Sequence, residues 1–447
     1  MSNLSPPLSV IVGLGATGLS CARYLKFVGL PFAVVDTRAA PPQLEAFRHE
    51  YPDVEIELGT LDASLFAKAS QIILSPGIAM REPAMMKQIN RGIPVIGDIE
   101  LFASAVKKPV IAITGTNAKS TVTTIVGKMA EKAKLQVKVG GNLGTPALDL
   151  LTDSSLDLFV LELSSFQLET TYSLKPKVAT VLNITPDHMD RYESITAYQK
   201  AKHRIYDHCE IAVCNRDDPF TLYSSSSSHQ SFYFTLERPE ANEFGLLMRN
   251  KETYLSYEDQ TLLSVRELPI SGKHDQANAL AALAIGHGFG LPMDAMLNVL
   301  REFQGLPHRC QFVRERSLVK WYNDSKGTNV GATLAAILGL GSEMAGKLVL
   351  IAGGVGKNAD FNLLLPAIVK YVRHVVLIGE AAPDIAKVIH QHTPYSFAAT
   401  MEEAIQQADQ QALPKDSVLL SPACASFDMF SHYEHRGDVF MEIVKRL

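Results

Sequence analysis

The chain has 447 residues, of which 47% are hydrophobic and 20% are charged, and its formal net charge is -5. These values are typical of a globular protein, and at roughly 150 residues per domain the length predicts about three domains. The weak negative charge and the lack of a basic tract argue against nucleic acid or a membrane surface as a partner. Short apolar runs exclude a transmembrane helix, and five scattered cysteines favour reduced thiols in a cytoplasmic protein.

The first part of the chain, residues 1–97, alternates short apolar runs with helical stretches. Runs at Ser9–Val12, Phe32–Val35 and Ile72–Leu74 are separated by segments with helical spacing, such as Thr17–Phe27. This alternation is typical of a parallel sheet with helices on its faces. We therefore expect a Rossmann-like N-terminal domain.

A glycine motif, GLGATG, begins at Gly13 between the first predicted strand and helix. Glycines at this spacing let a diphosphate approach the N-terminus of the helix, where free N–H groups bind anions. Asp36 ends the next strand and suits a ribose or base contact. The residues alone leave three interpretations open: NAD, another nucleotide diphosphate such as UDP, or glycines that only close a tight turn.

The middle part, residues 98–304, contains the strongest signal. The stretch ITGTNAKST runs from Ile113 to Thr121, after the predicted strand Pro109–Thr114 and before a predicted helix. Lys119 can reach the terminal phosphates of ATP, and the Ser120 hydroxyl can bind magnesium. The match to a phosphate loop is imperfect, because Ala118 stands where the pattern has glycine. A serine run at Ser224–Ser228 predicts a flexible loop, and strand-like alternation from Phe232 to Leu263 predicts a small antiparallel layer.

Two further polar side chains follow neighbouring strands of this part. Glu162 lies inside the apolar run Leu156–Leu163, near its C-terminal end, and His188 follows the run Val178–Leu182. A buried carboxylate needs a proton, an ion pair or a metal, and ligands of parallel sheets bind at the carboxyl ends of the strands. We expect Lys119, Ser120, Glu162 and His188 to converge there on phosphate and magnesium. Taken alone, Glu162 could be an ion-paired glutamate and His188 could be a structural histidine.

The third part, residues 305–447, again alternates strands with helical stretches and predicts a second Rossmann-like domain. Lys326 and Lys357 each follow a predicted strand, and Ser426 and Phe430 follow the last one. Each could be an ordinary surface residue. Together at the ligand-binding edge they suit a substrate with two carboxylates.

At these residues the sequence resembles the Mur ligase family. The similarity covers essentially the whole chain, in order. The motifs that carry it are GTNAKST (from Gly115), ELSSFQLE (from Glu162), DHMDRY (from Asp187), GLPHR (from Gly305), NDSKGTN (from Asn323) and LLSPACASFD (from Leu419).

The resemblance implies three domains: a UDP-binding domain over residues 1–97, an ATP-binding domain over 98–304 and an amino-acid-binding domain over 305–447. It implies a cytoplasmic peptidoglycan enzyme that uses ATP and magnesium, with two ions expected, to add D-glutamate to UDP-N-acetylmuramoyl-L-alanine. We expect a monomer whose partners are these small molecules.

The resemblance also assigns residues to each substrate. The expected ATP contacts are Gly115, Thr116, Asn117, Ala118, Lys119, Ser120, Thr121, Asn278, Arg309 and Asp324. The expected contacts of the UDP-linked substrate are Gly15, Ala16, Thr17, Asp36, Thr37, Arg38, Gly77 and Asn142, with Thr37 and Arg38 at the uracil and Asn142 at the sugar. The expected D-glutamate contacts are Lys326, Thr328, Lys357, Ser426 and Phe430.

Lys202 matches a lysine that the family carbamylates with carbon dioxide. As a carbamate it would join Ser120, Glu162 and His188 as a magnesium ligand, because an anion can bridge to a metal that repels an ammonium group. Without the resemblance, Lys202 would be a solvated helical lysine.

Two residues depart from the family pattern. Ala118 would cost roughly 1–2 kcal/mol if its position needs a left-handed backbone, and we expect instead that the helix start accepts alanine. Asp275 stands where the family has asparagine beside the nucleotide base, and its charge leaves the adenine contacts open.

Three other functions remain open at this point. An NAD-dependent dehydrogenase would explain GLGATG but not GTNAKST or Glu162. A ligase like folylpolyglutamate synthase also adds glutamate, but that relative lacks a separate UDP domain, whereas 97 residues precede the ATP domain here. A non-catalytic nucleotide-binding protein of the same fold is the third.

Overall fold

The computed structural model describes residues 7–152, 155–223, 230–269 and 272–447. The serine loop predicted at 224–228 lies outside these ranges. Within them the chain forms three sheets and divides into two compact units. The first unit comprises Met1–Ile184, Thr196–Ser264 and Ala279–Leu300, and the second comprises Thr185–Ile195, Val265–Asn278 and Arg301–Leu447.

The N-terminal sheet is parallel throughout, as the sequence predicts. Its strands are β1 (Leu8–Val12), β2 (Phe32–Asp36), β3 (Ile56–Leu58), β4 (Ala69–Leu74) and β5 (Val95–Ile96). They lie in the order β3-β2-β1-β4-β5. The helices that accompany them are α1 (Ala16–Phe27), α2 (Leu44–Glu50) and α3 (Pro83–Asn90). One core cluster of this domain comprises apolar residues of β1, β2 and β4 together with Ala63, Leu65, Phe66, Met85 and Val95.

The central sheet has nine strands. They are β6 (Val110–Thr114), β7 (Val137–Gly141), β8 (Leu158–Glu162), β9 (Val178–Val181), β10 (Ile211–Asn215), β11 (Gln230–Phe234), β12 (Glu243–Arg249), β13 (Glu252–Tyr257) and β14 (Gln260–Ser264). Their order is β14-β13-β12-β11-β10-β9-β6-β8-β7. The antiparallel strands β12, β13 and β14 continue this sheet at one edge.

Strand β6 lies between β8 and β9, and every residue of these three strands is buried. Both faces of this part of the sheet are covered, which explains the near-continuous apolar runs in the sequence. The helices of this part of the chain are α4 (Asp98–Ala105), α5 (Lys119–Lys132), α6 (Ser165–Glu169), α7 (Ile195–His203), α8 (Lys273–Phe289) and α9 (Met293–Glu302). The carboxyl ends of β6, β8 and β9 therefore meet at one edge.

The C-terminal sheet is parallel except at one edge. Its strands are β15 (Gln311–Arg316), β16 (Val319–Asn323), β17 (Leu348–Gly353), β18 (Val372–Ile378), β19 (Tyr395–Phe397) and β20 (Ser417–Leu420). Their order is β15-β16-β20-β17-β18-β19, and β15 is antiparallel to β16. The helices are α10 (Val330–Glu343), α11 (Leu365–Tyr371), α12 (Ala382–Ile389), α13 (Met401–Gln411) and α14 (Tyr433–Arg446). Separate apolar clusters pack on its two faces.

The described helices include none that is both long enough and apolar enough to cross a membrane. All five cysteines are free thiols, as the sequence predicts.

Candidate active site

The loop between β6 and α5 is held by Asn183, two residues after the end of β9. Thr116 N–H donates to the carbonyl oxygen of Asn183 at 2.8 Å, and Asn117 N–H donates to Asn183 Oδ1 at 2.8 Å. Asn183 Nδ2 donates back to the Asn117 carbonyl at 3.2 Å. The sequence analysis did not single out Asn183, although its position directly after a predicted strand was the available signal. The adjacent strand end thus fixes the backbone of the candidate phosphate loop.

Ala118 has a left-handed backbone at the start of α5, with φ 66° and ψ -7°. The expectation that this helix start accepts alanine without such a conformation is therefore wrong. The Cβ of an L-residue crowds the following carbonyl in this region, which costs roughly 1–2 kcal/mol. The candidate phosphate loop stores this strain, since α5 begins at Lys119 and the turn must be completed just before it.

Two lysines converge on one carbonyl oxygen of this loop. Lys119 Nζ donates to the carbonyl oxygens of Gly115 and Thr116, both at 2.9 Å. Lys202 Nζ donates to the same Gly115 oxygen at 2.8 Å and lies 4.6 Å from the centre of the Tyr198 ring. Only 1% of Lys202 is exposed, so its interpretation as a solvated helical lysine is wrong. Both ammonium groups lie at the carboxyl end of β6.

The Glu162 carboxylate is buried, with 2% of the residue exposed, at the end of β8. Its Oε1 accepts a 2.6 Å hydrogen bond from Asn142 Nδ2, whereas its buried Oε2 has no hydrogen-bond partner. An unpartnered buried carboxylate oxygen is unfavourable unless a cation or donor satisfies it, so Glu162 suits a divalent cation. Among the described residues, no group of three or more His, Cys, Asp or Glu side chains could hold a metal ion. A cation here would need other ligands as well, such as a hydroxyl or phosphate oxygens.

The glycines of the N-terminal motif serve different purposes. Gly13 has φ 99°, and a Cβ at Gly18 would lie 2.0 Å from the Gly13 carbonyl oxygen, so these two glycines close the turn between β1 and α1. A Cβ at Gly15 or Gly77 would meet no atom within 4 Å. These two positions therefore border open space at the carboxyl ends of the strands, where a ligand has room. Ala16, beside Gly15, is exposed, and Thr17 is half-buried.

Asp36 is buried and holds both the turn and Arg38. Its oxygens accept hydrogen bonds from Leu14 N–H at 2.6 Å and from the Arg38 guanidinium at 2.7 and 2.9 Å. Burial alone would raise the pKa of Asp36, but the hydrogen bonds from Arg38 and Leu14 outweigh it, and the pKa lies below its ordinary value. Thr37 and Arg38 are exposed beside it. An exposed, oriented guanidinium can receive an anionic or carbonyl group.

The second unit contains a cavity of about 170 Å³, smaller than typical drug-sized pockets of roughly 300–1,000 Å³. Its lining residues are Pro186, Asp187, His188, Met189, Thr328, Asn329, Val330, Gly356, Lys357, Asn358, Ala359, Asp360, Leu363 and Ala423. Lys357 Nζ forms a 2.8 Å ion pair with Asp187 Oδ1, and Asn329 Nδ2 donates to Asp187 Oδ2 at 3.1 Å. The size and the paired charges suit a small zwitterion or carboxylate.

The backbone of this cavity is strained. Four lining residues other than glycine have positive φ: His188 at 57°, Lys357 at 50°, Asn358 at 55° and Ala423 at 59°. Such conformations persist only where the surrounding structure imposes them, and they concentrate at ligand sites.

The predicted D-glutamate residues divide into two groups. Thr328 and Lys357 line the cavity, whereas Lys326, Ser426 and Phe430 do not belong to its lining. Lys326 Nζ lies 3.7 Å above the ring of Tyr433, which the sequence analysis did not single out. Ser426 is buried, and its carbonyl oxygen accepts the Phe430 N–H at 2.8 Å.

Three predicted ATP contacts, Asn278, Arg309 and Asp324, belong to the second unit, and the charge of Arg309 acts on Asp324. Burial raises the pKa of Asp324 to about 6, against the opposing effects of hydrogen bonds from Ser421 and Cys310 N–H and of the charges of Arg309 and His274. Asp275 Oδ2 lies 3.3 Å from His274 Nε2, so its carboxylate has a local cationic partner when His274 is protonated. Asn278, in α8, is half-buried.

His188 belongs to the second unit, whereas Lys119, Ser120 and Glu162 belong to the first. The strand order brings the ends of β6, β8 and β9 together. The convergence of His188 with the other three side chains stays a prediction.

Three family profiles match consecutive parts of the chain. The Mur ligase MurD-like N-terminal domain matches residues 8–97, the Mur ligase middle domain matches 113–286, and the Mur ligase glutamate ligase domain matches 308–424.

Curated relatives match over nearly the full length. The UDP-N-acetylmuramoylalanine–D-glutamate ligase of Pseudomonas putida KT2440 is 51% identical over 438 residues, which is 98% of this chain and 97% of that protein. The protein of the same name from Nitrosococcus oceani is 52% identical over 440 residues, covering 98% and 96% of the two chains.

Solved structures share the fold at low identity. The UDP-N-acetylmuramate-alanine ligase MurC of Thermotoga maritima has a TM-score of 0.62 at 17% identity and covers 98% of this chain and 99% of its own. The folylpolyglutamate synthase of Mycobacterium tuberculosis has a TM-score of 0.60 at 17% identity, over 77% of this chain and 93% of its own. The sequence identity to the curated relatives and the three consecutive profiles together establish that this chain belongs to the Mur ligase family.

Proposed function

We propose that this chain is an ATP-dependent ligase that joins D-glutamate to UDP-N-acetylmuramoyl-L-alanine in peptidoglycan precursor synthesis. The names of relatives about half identical over the full length support this substrate pair. The observation that carries the chemistry is the order β9-β6-β8, in which a lysine-bearing phosphate loop lies beside a buried carboxylate with an unpartnered oxygen. These are the groups that phosphoryl transfer requires.

The reaction has two steps in this proposal. A terminal carboxylate oxygen of UDP-N-acetylmuramoyl-L-alanine attacks the γ-phosphorus of ATP, the bond to the bridging oxygen breaks, and ADP leaves. The amine of D-glutamate then attacks the acyl carbon, the bond to the phosphate oxygen breaks, and the amine loses a proton as the amide and phosphate form. Lys119 offsets the repulsion between the anionic reactants and the charge that develops in the first step. His188 is a candidate base for the proton only where it does not ligate magnesium, because a nitrogen bound to the metal cannot accept a proton.

Magnesium fits the residues at the loop, with Ser120, Glu162, His188 and a carbamate on Lys202 as its proposed ligands. Bound there, magnesium would neutralise phosphate charge, and two ions are expected. The unpartnered oxygen of Glu162 supports a cation at this position. The Ser120 residue is buried at the first turn of α5, close to where the loop amides bind phosphate.

A carbamate on Lys202 has a physical rationale in this loop. Lys119 Nζ and Lys202 Nζ share the Gly115 carbonyl oxygen, so they lie within about 6 Å of each other and repel by roughly 3 kcal/mol at an effective dielectric constant near 20. Converting the buried Lys202 amine to an anion replaces this repulsion with attraction. It also adds a negative oxygen ligand for a divalent cation.

The substrate contacts follow the predicted domains, over residues 1–97, 98–304 and 305–447. The UDP-linked substrate binds beside Gly15, Gly77 and Arg38, where the surface leaves room. D-Glutamate binds at the cavity that Thr328 and Lys357 line, with Lys326, Ser426 and Phe430 contributing from outside that lining. We further propose a cytoplasmic monomer.

A phosphate-release assay tests the proposal. Purified protein is given ATP, magnesium and UDP-N-acetylmuramoyl-L-alanine, and the amino acid is varied among D-glutamate, L-glutamate, L-lysine and L-alanine. We expect release with D-glutamate at a rate well above the other three. Phosphate release at the same rate with every amino acid, or without the UDP-linked substrate, would refute the proposal. It would favour a different ligase of this fold.

Variants of α5 test the role of Lys119. Lys119→Ala should abolish phosphate release, whereas Lys132→Ala, an exposed lysine at the other end of the same helix, should leave it near the normal rate. A separate fluorescence titration with NADH tests the dehydrogenase alternative, because a dehydrogenase must bind NADH. Near-normal turnover of Lys119→Ala would contradict the assigned role.

A further inference from the structure

Asn142 forms hydrogen bonds to Glu162 through both its main chain and its side chain. Strand β7 runs parallel to β8 with Gly141 opposite Glu162, and Asn142 follows directly. The Asn142 N–H donates to the Glu162 carbonyl oxygen at 2.8 Å, and Asn142 Nδ2 donates to Glu162 Oε1 at 2.6 Å. The second bond is charge-assisted and therefore among the stronger kinds of hydrogen bond. The two contacts fix one residue against the other.

The loop that carries Asn142 is closed by glycines. Gly141 has φ 98°, and its N–H donates to the Thr145 carbonyl oxygen at 2.8 Å. A Cβ at Gly141 would lie 2.5 Å from the Glu162 carbonyl oxygen. Because this approach needs glycine, the position of Asn142 beside Glu162 is set by the backbone and not by a flexible side chain.

The two oxygens of the Glu162 carboxylate differ as a consequence. Oε1 is occupied by the Asn142 amide, and the buried Oε2 has no hydrogen-bond partner. A hydrogen bond to one oxygen of a ligating carboxylate fixes its orientation and leaves the other oxygen for a metal ion. Asn142 is an exposed residue, whereas Glu162 is buried.

We propose that Asn142 is a positioning residue that fixes the Glu162 carboxylate and presents Oε2 to a divalent cation. This inference rests on the proposed function, because it assumes a cation at Glu162. It gives Asn142 a role that does not require the sugar contact implied by the family resemblance. The role acts through Glu162, so it must be visible without any nucleotide sugar.

Mn²⁺ binding measured by electron paramagnetic resonance tests the inference. The full-length protein is titrated with Mn²⁺ in the presence of ADP and without the UDP-linked substrate, and a protein-free titration corrects for Mn²⁺ bound by ADP alone. Loss of such a supporting hydrogen bond typically weakens metal binding by about 10- to 100-fold. We expect Asn142→Ala to raise the Mn²⁺ dissociation constant by at least about 10-fold. The control Asn90→Ala, an exposed asparagine of α3, should leave it unchanged.

A double-mutant cycle separates positioning from a general loss of structure. If Asn142 acts through Glu162, then Asn142→Ala should change Mn²⁺ binding by less than about twofold when Glu162→Gln is already present. An equal loss in both backgrounds would overturn the inference, and so would wild-type affinity in Asn142→Ala. If the wild-type protein binds no Mn²⁺ beyond that held by ADP, the proposed metal site falls, and this inference falls with it. Unchanged thermal unfolding of Asn142→Ala confirms that the variant is folded.

Discussion

Replacing Ala118 by glycine should stabilise the protein, although it removes a methyl group from the candidate phosphate loop. Ala118 has φ 66° and ψ -7°, a conformation that costs an L-residue roughly 1–2 kcal/mol and costs glycine almost nothing. Glycine loses more backbone entropy than alanine on folding. This entropy loss costs roughly 0.5–1 kcal/mol and offsets part of the relieved strain. The net expectation for Ala118→Gly is a gain of roughly 0.5–1 kcal/mol in the free energy of unfolding.

The same helix provides a matched control. Ala133 follows the last residue of α5, is half-buried like Ala118, and has φ -76°. Glycine gains nothing there, so Ala133→Gly should lower the free energy of unfolding by roughly 0.5–1 kcal/mol. The two substitutions remove the same methyl group and differ in the sign of φ.

Thermal unfolding of the two variants measures the difference. A gain of this size in a domain of about 200 residues raises Tm by about 1–4 °C, and Ala133→Gly should lower Tm by a similar amount. Chemical denaturation at fixed temperature gives a second estimate of both free energies. A Tm for Ala118→Gly that is equal to or below the wild-type value would refute the claim of backbone strain at the phosphate loop.

Three further predictions concern other parts of the chain. Tyr206→Phe should lower the free energy of unfolding, measured by chemical denaturation, by about 1–3 kcal/mol. The buried Tyr206 hydroxyl accepts a hydrogen bond from Val181 N–H at 2.8 Å and donates one to the Val213 carbonyl oxygen at 3.0 Å. An unchanged free energy of unfolding would contradict this prediction. Burial raises the pKa of Asp98 to about 6. Between about pH 4 and 6 the folded state therefore keeps a proton that the unfolded chain has lost, so the free energy of unfolding falls as pH rises. Asp98→Asn should show a smaller fall of Tm than the wild-type protein between these pH values. Lys357→Met should raise the KM for D-glutamate by at least about 10-fold while ATP binding, measured separately, stays normal, because it removes the ammonium group at the cavity.

Local sequence patterns predicted the elements that carry the phosphate loop. The predicted strand Pro109–Thr114 is observed as Val110–Thr114, and the helix predicted after this loop is observed as Lys119–Lys132. The run Leu156–Leu163 contains the observed strand Leu158–Glu162. These predictions succeeded because buried parallel strands need continuous apolar runs, and because a strand-to-helix turn with small and polar residues has few alternative structures.

The contacts that distinguish the site depend on distant pairings that a local pattern cannot contain. Lys202 has helical spacing typical of a solvated lysine, yet it is buried because α7 packs it against the end of β6, 87 residues earlier. Asp187 and Lys357 are separated by 170 residues. Asn142 meets Glu162 only because β7 takes the place beside β8, and strand order is a property of the sheet rather than of either strand's sequence. The left-handed backbone of Ala118 was missed because a favourable helix residue masked the requirement of the turn.

If the amino acid binds at this cavity as proposed, the Lys357–Asp187 ion pair makes its binding an exchange of ion-pair partners. Lys357 is 18% exposed and Asp187 is 9% exposed, so removing either charge alone would leave the other poorly solvated. A ligand with a single carboxylate would compete with Asp187 for Lys357. Asp187 would then lose its cationic partner. An amino acid carries both charges: its carboxylate can take Lys357 while its amino group faces Asp187, which Asn329 continues to hold at 3.1 Å. In the proposed complex both charges would remain paired, so this cavity would bind an amino acid in preference to a simple carboxylic acid.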